Sequence, residues 1–479
     1  MKHGCFFSRV GLFLMCAGAV WLLSSCSSRA PEGVITGAPA GGEAPISGVS
    51  AELASWMLGV PRTRLGMLSG GAGERIGRIP EPALAWNFRA PGLISDFAVA
   101  TENGSILLST IRDVDSADGS EKNGRFLVEL DREGRLRFKR PLSVQTRVQA
   151  IRSDGALAYV SNYEHRLEAV ESNGRVRWSV EASCRPLALD SARAVLCIED
   201  DAAVPGPAFR VFDEDSGKLA FEYSAPPEGG EARPPEPLAF RKTTDGRYFV
   251  VGLTGARVVL FRAGRSTDGA IYIRALWART VEGEITDVAL AGSEHDRQLL
   301  AGEAPEVAVL HWEEDQQRAS FFERTGLLHS KVKVVEPGPV QQIELSQEAD
   351  RLWVQGNGPK GQFLDVYRRE KRGPWSPTVR RHFPRAAEYS IPLISARQGA
   401  VAGVEENVAG RRRNHLVGLD REGAPVWRMP VQGGDGAYLY GQGIVPDGTQ
   451  VAIATDDGRV SAYHLEKGAW AASGADNPK

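Results

Sequence analysis

A strand–turn–strand signature recurs along this chain, and the recurrence constrains the fold more than any other feature. In Leu167-Glu168-Ala169-Val170-Glu171-Ser172-Asn173-Gly174-Arg175-Val176-Arg177-Trp178 the apolar residues alternate, break at Asn173-Gly174, and alternate again. A period of two is that of strands half-buried on a sheet. Asn173-Gly174 predicts a two-residue hairpin turn, because both residue types tolerate positive φ. Near-copies surround Gly134 (126–138), Gly217 (209–221) and Gly423 (416–427). The segments 258–277 and 306–322 keep the pattern with degraded turns.

Each copy follows a short apolar run, such as Ala156-Leu157-Ala158-Tyr159-Val160 or Tyr248-Phe249-Val250-Val251-Gly252, and before that a further strand such as Val148-Gln149-Ala150-Ile151. One unit therefore holds four short strands in about 40–55 residues. No long stretch carries a convincing helical period. The expected fold class is all-β, a single β-propeller of four-stranded blades. A twisted four-stranded sheet has two apolar faces and cannot hide them alone; stacking blades around an axis buries both and leaves only short edges. Phe138, Trp178, Phe221 and Trp427 then read as packing between blades rather than as ligand platforms.

Both ends of the repeat region favour a closed ring. Leu84-Ala85-Trp86-Asn87-Phe88 has the look of a last strand with no blade before it, and the final unit lacks its last strand. On that basis first strands fall near Asp96, Val148, Leu187, Leu238, Ile285, Val340, Ile391 and Tyr440, which makes eight blades. Seven is the alternative, because the units at 285–335 and 340–385 are the least regular.

The segment before the repeats reads as an address. Lys2 and Arg9 precede the apolar run Val10 to Leu23, too short to span a bilayer as a free helix, and Leu23-Ser24-Ser25-Cys26 follows. Small residues before a cysteine resemble a bacterial lipobox. That resemblance implies a signal peptide over 1–25 and acylation of Cys26, hence stable membrane anchoring. Removing Lys2 and Arg9 takes the formal charge from −3 to −5. Ser27 follows the cysteine with no Asp nearby, a pattern that favours the outer membrane over the inner. Residues 26–80 read as a Ser-, Ala-, Pro- and Gly-rich tether. A short amphipathic helix is expected over 51–58, with Trp56 and Leu53 packing on the main domain. The propeller is expected over 84–466, with a tail over 467–479.

Strand, Gly turn and apolar-x-Trp in series resemble the PQQ-like, or quinoprotein-like, propeller repeat, a WD40-like architecture. With a lipobox in front, the layout is similar to that of the propeller lipoproteins of the outer-membrane β-barrel assembly machinery. The resemblance implies a periplasm-facing protein of the cell envelope that binds other proteins.

Catalytic signatures are not found. Quinone-dependent dehydrogenases on this fold use adjacent cysteines; after the signal segment only Cys26, Cys184 and Cys197 remain, so no PQQ enzyme is expected. Cys184 and Cys197 lie on neighbouring strands of one unit and are open to two readings, a disulfide or two buried thiols. The hairpin register sets Cys184 opposite Glu199 rather than Cys197. The acidic run 113–121 fails the spacing of a Ca²⁺ loop and reads as a solvated loop. H-E-x-x-H and Gly-x-Ser-x-Gly are absent, and the Gly-rich stretch 71–77 precedes no βαβ unit. No cofactor and no metal site are expected, and the net charge does not favour nucleic acid.

One charge cluster is unusual. Arg368, Arg369, Lys371, Arg372, Arg380, Arg381 and Arg385 face only Glu370 across 368–385, giving +6, and Arg411-Arg412-Arg413 follows in the next unit. They form a candidate basic interaction sector, or else a set of solvated loops. The sequence therefore favours a non-catalytic, lipid-anchored scaffold whose partners are envelope proteins. A ligand-sensing propeller is the second reading, and a propeller hydrolase or lyase with scattered residues the third.

Overall fold

The computed structural model describes residues 82–465 except 101, 112–124, 200–206, 226–234, 244, 292–303, 335–339, 347–348, 359–360, 371–372, 383–393, 397–398, 409–410, 422, 432–438, 445–448 and 456. The signal segment with Cys26, the tether and its expected helix, the Gly-rich stretch 71–77 and the acidic run 113–121 lie outside the described residues.

The described chain forms eight four-stranded antiparallel sheets. Seven consist of four consecutive strands: blade 1 over 93–141, blade 2 over 146–181, blade 3 over 184–223, blade 4 over 237–280, blade 5 over 285–333, blade 6 over 340–382 and blade 7 over 394–430. Blade 8 takes three strands from 439–464 and its fourth from Ala83–Arg89. The architecture is an eight-bladed β-propeller. The expected closure is present: Ala83 pairs with His464 and Arg89 with Arg459, antiparallel. Units 285–333 and 340–382 are full blades despite their irregular sequences. Blade 7 has a described first strand at Ile394–Ala396, while Ile391 lies outside the described residues.

Burial explains why the sequence reads as it does. Second strands are mostly apolar because neighbouring blades cover both faces. Tyr248–Leu253 and Gln450–Thr455 are buried at every position. Fourth strands form the circumference and alternate, as at Val176–Glu181, where half-buried and exposed residues succeed one another. The core lies between blades, in separate apolar clusters. One joins Leu196 and Phe209 of blade 3 to Phe249 and Phe261 of blade 4, with rings meeting edge-on at 5.5 Å and 5.1 Å. Others join blades 1 and 2, 2 and 3, 4 and 5, 5 and 6, 7 and 8, and 8 and 1.

The signature turn differs from the expected form. Gly174 N–H donates to Glu171 O, Glu171 N–H donates to Arg175 O, and of the two turn residues only Gly174 has positive φ. This is a three-residue loop with glycine in the left-handed region forming a bulge, not a two-residue turn. The turns at Gly134, Gly326 and Gly423 repeat the same two hydrogen bonds.

Glycine there serves packing as well as conformation. Gly217 has φ +68° and lies beneath the indole of Trp178 from blade 2; an added Cβ would come within 2.7 Å of the ring. Gly134 lies beneath Trp86 and Gly174 beneath Phe138 in the same way. Trp86 Nε1–H donates to Arg132 O at 2.8 Å, so the N-terminal strand also fastens blade 8 to blade 1. The aromatic residues after the turns are inter-blade packing, as their repetition implied.

Candidate functional site

A propeller has two faces with different material. At one end of every blade lie the turns from first to second strand and from third to fourth. At the other lie the hairpins joining second and third strands and the crossings to the next blade. These are called the tight-turn face and the crossover face below.

On the tight-turn face, blades 2 to 4 are bound by ion pairs. Arg152 of blade 2 reaches Glu214 of blade 3, Nη1 to Oε1 2.6 Å, and also contacts Asp154. Glu214 is almost fully buried and accepts a second hydrogen bond from Tyr159 Oη at 3.2 Å; burial and this carboxylate push the phenol of Tyr159 well up. Arg265 of blade 4 donates to Asp213 at 2.5 Å and to the carbonyls of Ala192 and Arg193. Ser216 and Arg265 together hold Asp213 below the usual carboxylate range against the opposing effect of burial. These charges satisfy one another from blade to blade, which costs less than leaving any of them buried alone.

Near the axis, two blades use a common device that no sequence motif had marked. Asp96 on the first strand of blade 1 accepts from Gln149 N–H of blade 2 at 2.7 Å. Asp287 on the first strand of blade 5 accepts from Ile343 N–H of blade 6 at 2.9 Å. The signal was present in the matching pair Ile94-Ser95-Asp96-Phe97-Ala98-Val99 and Ile285-Thr286-Asp287-Val288-Ala289-Leu290. Arg241 of blade 4 lies 3.3 Å from Asp287 and 3.5 Å from Glu344 of blade 6. Burial raises the pKa of both carboxyls against the pull of Arg241, and among the described residues Glu344 Oε2 has no hydrogen-bond partner. Burial pushes Asp96 up to about 7 although two backbone N–H groups oppose it.

His311 of blade 5 is also structural in its bonding. One ring nitrogen, Nδ1, donates to Glu282 O at 2.6 Å, so Nε2 is the acceptor from Ser320 Oγ at 2.8 Å. Burial lowers its pKa and keeps it neutral.

The cysteines of blade 3 are joined. Cys184 pairs in register with Glu199, as the hairpin spacing implied, and Cys197 lies two positions along. The diagonal leaves their Cα atoms 5.3 Å apart, and a disulfide connects them.

The candidate basic sector divides. Arg368 ends the third strand of blade 6 on the tight-turn face and is exposed. Arg369 does not belong to a solvated sector. Strand alternation turns it the opposite way, where it is 5% exposed, donates to Ala349 O at 2.6 Å, pairs with Glu306, and stands 4.9 Å from the Trp375 ring. Lys371 and Arg372 lie outside the described residues. Arg380 and Arg381 fall in Ser376–His382, paired with Asp365 and Leu364, toward the crossover face. Arg411, Arg412 and Arg413 open Arg411–Asp420 of blade 7, on that same face. Five of the arginines therefore fall on strand segments toward one end of two neighbouring blades. Among the described residues no group of three or more His, Cys, Asp or Glu is arranged to hold a metal ion.

Solved structures carry the same fold. Sqt1 of Saccharomyces cerevisiae aligns with 81% of this chain and 100% of its own at 11% identity and a TM-score of 0.53. The chain is built like known propellers. The Dos1 propeller matches over 81% of this chain and 95% of its own, at 12% identity and a TM-score of 0.50. BamB from Moraxella catarrhalis matches over 80% of this chain and 100% of its own, at 13% identity and a TM-score of 0.49. At such identities the likeness is one of fold. No protein-family model and no curated protein matches the chain.

Proposed function

We propose that this propeller is a non-catalytic scaffold of the bacterial cell envelope, anchored by lipid at Cys26 and facing the periplasm, that holds protein partners on one face of its ring. The observation that carries the reading is the contrast between the faces. Charges of the tight-turn face between blades 2 and 4 are consumed in blade-to-blade pairs, Arg152 with Glu214, Arg177 with Asp215 and Arg265 with Asp213. The crossover face of blades 6 and 7 is built by longer hairpins, with strands of eight and ten residues. Rigid rings with irregular connections suit recognition by loops and edges. The lipobox-like Leu23-Ser24-Ser25-Cys26 supports the anchor, and Ser27 supports the outer membrane. The layout of lipobox, tether and repeat supports a place beside the machinery that inserts β-barrels.

The test is affinity capture of the tagged full chain from detergent-solubilised native membranes, with Cys26→Ser in parallel. Recovery of a defined envelope complex is the expected result, together with release of the Cys26→Ser variant from the membrane fraction. Recovery of the propeller alone overturns the scaffold, and a Cys26→Ser variant that stays with the membrane overturns the anchor.

A further inference from the structure

The large apolar side chains that stay exposed are not scattered. Among the described residues there are eight. Six of them, Leu84, Leu136, Leu219, Tyr272, Leu327 and Leu328, stand where a third strand gives way to a fourth, at the outer rim of the tight-turn face. One exposed leucine on a protein surface needs no explanation. Recurrence at one offset does. Leu136, Leu219 and Leu328 each open a fourth strand, two residues past the turn glycine, and are 51%, 52% and 50% exposed. The seams beneath them are already closed by tryptophan: Trp86 over Gly134, Trp178 over Gly217 and Trp277 over Gly326. None of the three leucines belongs to the apolar cluster at its own seam. They stand outside the packing, on blades 1, 3 and 5, with Leu84 on blade 8 and Tyr272 on blade 4.

The charges at the tips of these turns are largely spent on one another. Glu171 pairs with Arg175 and Arg177, Asp215 with Arg193 and Arg177, and Asp213 with Arg265. Paired charge with protruding leucines is a poor surface for an ionic partner. It suits the boundary between lipid headgroups and acyl chains, where apolar side chains are buried shallowly.

The chain enters the propeller on the same rim. Ala83 lies opposite His464, where the third strand of blade 8 ends, and Leu84 follows it. Residues 27–82 join Cys26 to this point. A propeller held at Cys26 is therefore tied to its anchor at the rim that carries the leucines.

We propose that the tight-turn rim rests on the membrane that anchors the protein, with Leu84, Leu136, Leu219, Leu327 and Leu328 entering the boundary between headgroups and acyl chains. Several shallow apolar contacts then act as a second signal beside the acyl anchor. The crossover face points away from the lipid, toward protein partners. The inference rests on the lipid-anchor reading and adds to it the side on which the ring lies.

The test places the acylated full chain on vesicles of phosphatidylcholine that include a lipid with a photoreactive group in its acyl chain, and locates adducts by mass spectrometry. The expected result is adducts on the peptides that hold Leu84, Leu136, Leu219 and Leu327-Leu328, and none on the crossover-face peptide that holds the equally exposed Tyr163. Labelling persists in about 0.5 M salt, where charges are screened within a few ångströms. In the Leu136→Ser/Leu219→Ser/Leu328→Ser variant, which melts as the wild type does, adducts at Leu84 fall about tenfold. Equal labelling of Tyr163 and the rim overturns the proposal, as does unchanged labelling of Leu84 in the triple variant. Loss of rim labelling in salt also overturns it, since the contact is then ionic. Rim peptides that escape the photolipid on vesicles but are shielded in native membranes assign the leucines to a protein partner and overturn it too. A Cys26→Ser chain held on the vesicles by an N-terminal histidine tag and a nickel-chelating lipid separates the two readings. If it labels at the rim while the wild type carries no acyl group, the anchor reading fails and the rim stands. If the acylated wild type labels nowhere on the rim, the rim fails and the anchor stands.

Discussion

Trp178 of blade 2 donates its indole N–H to the carbonyl of Glu214 in blade 3 at 2.8 Å, with its ring over Gly217. One residue thus closes a hydrogen bond, fills a gap and fixes the angle between two blades. Trp178→Ala is expected to cost about 2–4 kcal/mol, less than a fully buried tryptophan, since the side chain is only half-buried. Gly217→Ala adds a Cβ under the same ring at a positive φ and should cost about 1–3 kcal/mol. Urea unfolding of both variants reads this directly. If the double variant costs the sum of the singles, the two residues are not acting as one contact.

The disulfide of blade 3 closes a loop of 13 residues. Chain-entropy reasoning gives about 3 kcal/mol for a loop of that size. Replacing both cysteines by alanine should lower the unfolding midpoint accordingly without altering the fold. Both residues are buried, so reductant should act slowly on the native protein and quickly once it is unfolded. Rapid reduction of the folded protein would contradict that burial.

Asp96 gives a pH dependence with a definite sign. Its carboxyl is pushed up to about 7 in the fold, against an ordinary value of 3.8. The native state therefore holds a proton that the unfolded chain has released, throughout the interval between those values. Its contribution to stability is greatest at the acid end of that interval and declines as pH rises toward 7, then stays flat. The decline is at most about 4 kcal/mol at 1.36 kcal/mol per pH unit. Asp96→Asn keeps one oxygen for Gln149 N–H and removes the ionisation. The variant should lose less stability than the wild type between pH 5 and pH 8, measured as the shift in urea midpoint. An identical shift in both proteins would show that Asp96 titrates normally.

Ring closure by Ala83–Arg89 predicts a sharp boundary for truncation. Removing residues 1–81 should leave the cooperative melt intact, because every described strand remains. Removing residues 1–90 opens blade 8, exposes the Arg459–His464 edge and withdraws Trp86 from Gly134. That shorter chain should melt earlier and self-associate, as light scattering will report. Equal behaviour of the two truncations would mean that the fourth strand of blade 8 is dispensable.

What the sequence revealed and what it concealed divide along physical lines. Blade count and closure were legible because second strands such as Tyr248–Leu253 are covered on both faces and stay apolar throughout, while the glycine turns recur at a fixed offset. Arg369 was misplaced because a run of like charges at a strand end gives no hint of alternation. Arg368 reaches solvent, whereas its neighbour passes under Trp375. The turn at Gly174 was assigned one residue too short, since Asn-Gly suits either loop length. Among the described residues the Asp96 and Asp287 bridges occur in two blades, too few to stand out as a repeat, although their flanking residues match. That Arg380 and Arg411 occupy strands toward the same end of neighbouring blades could not be read from charge alone, because it depends on which end of each strand they occupy.

The pairing of Ala83–Arg89 with the last strand has a consequence in time. Arg89 and Asp457 are bonded partners 368 positions apart. The strand synthesised among the first must remain unpaired until nearly the whole chain has followed it. Any device that keeps the two ends of a newly made chain near one another would therefore speed the final step of folding more than one that assists the middle blades.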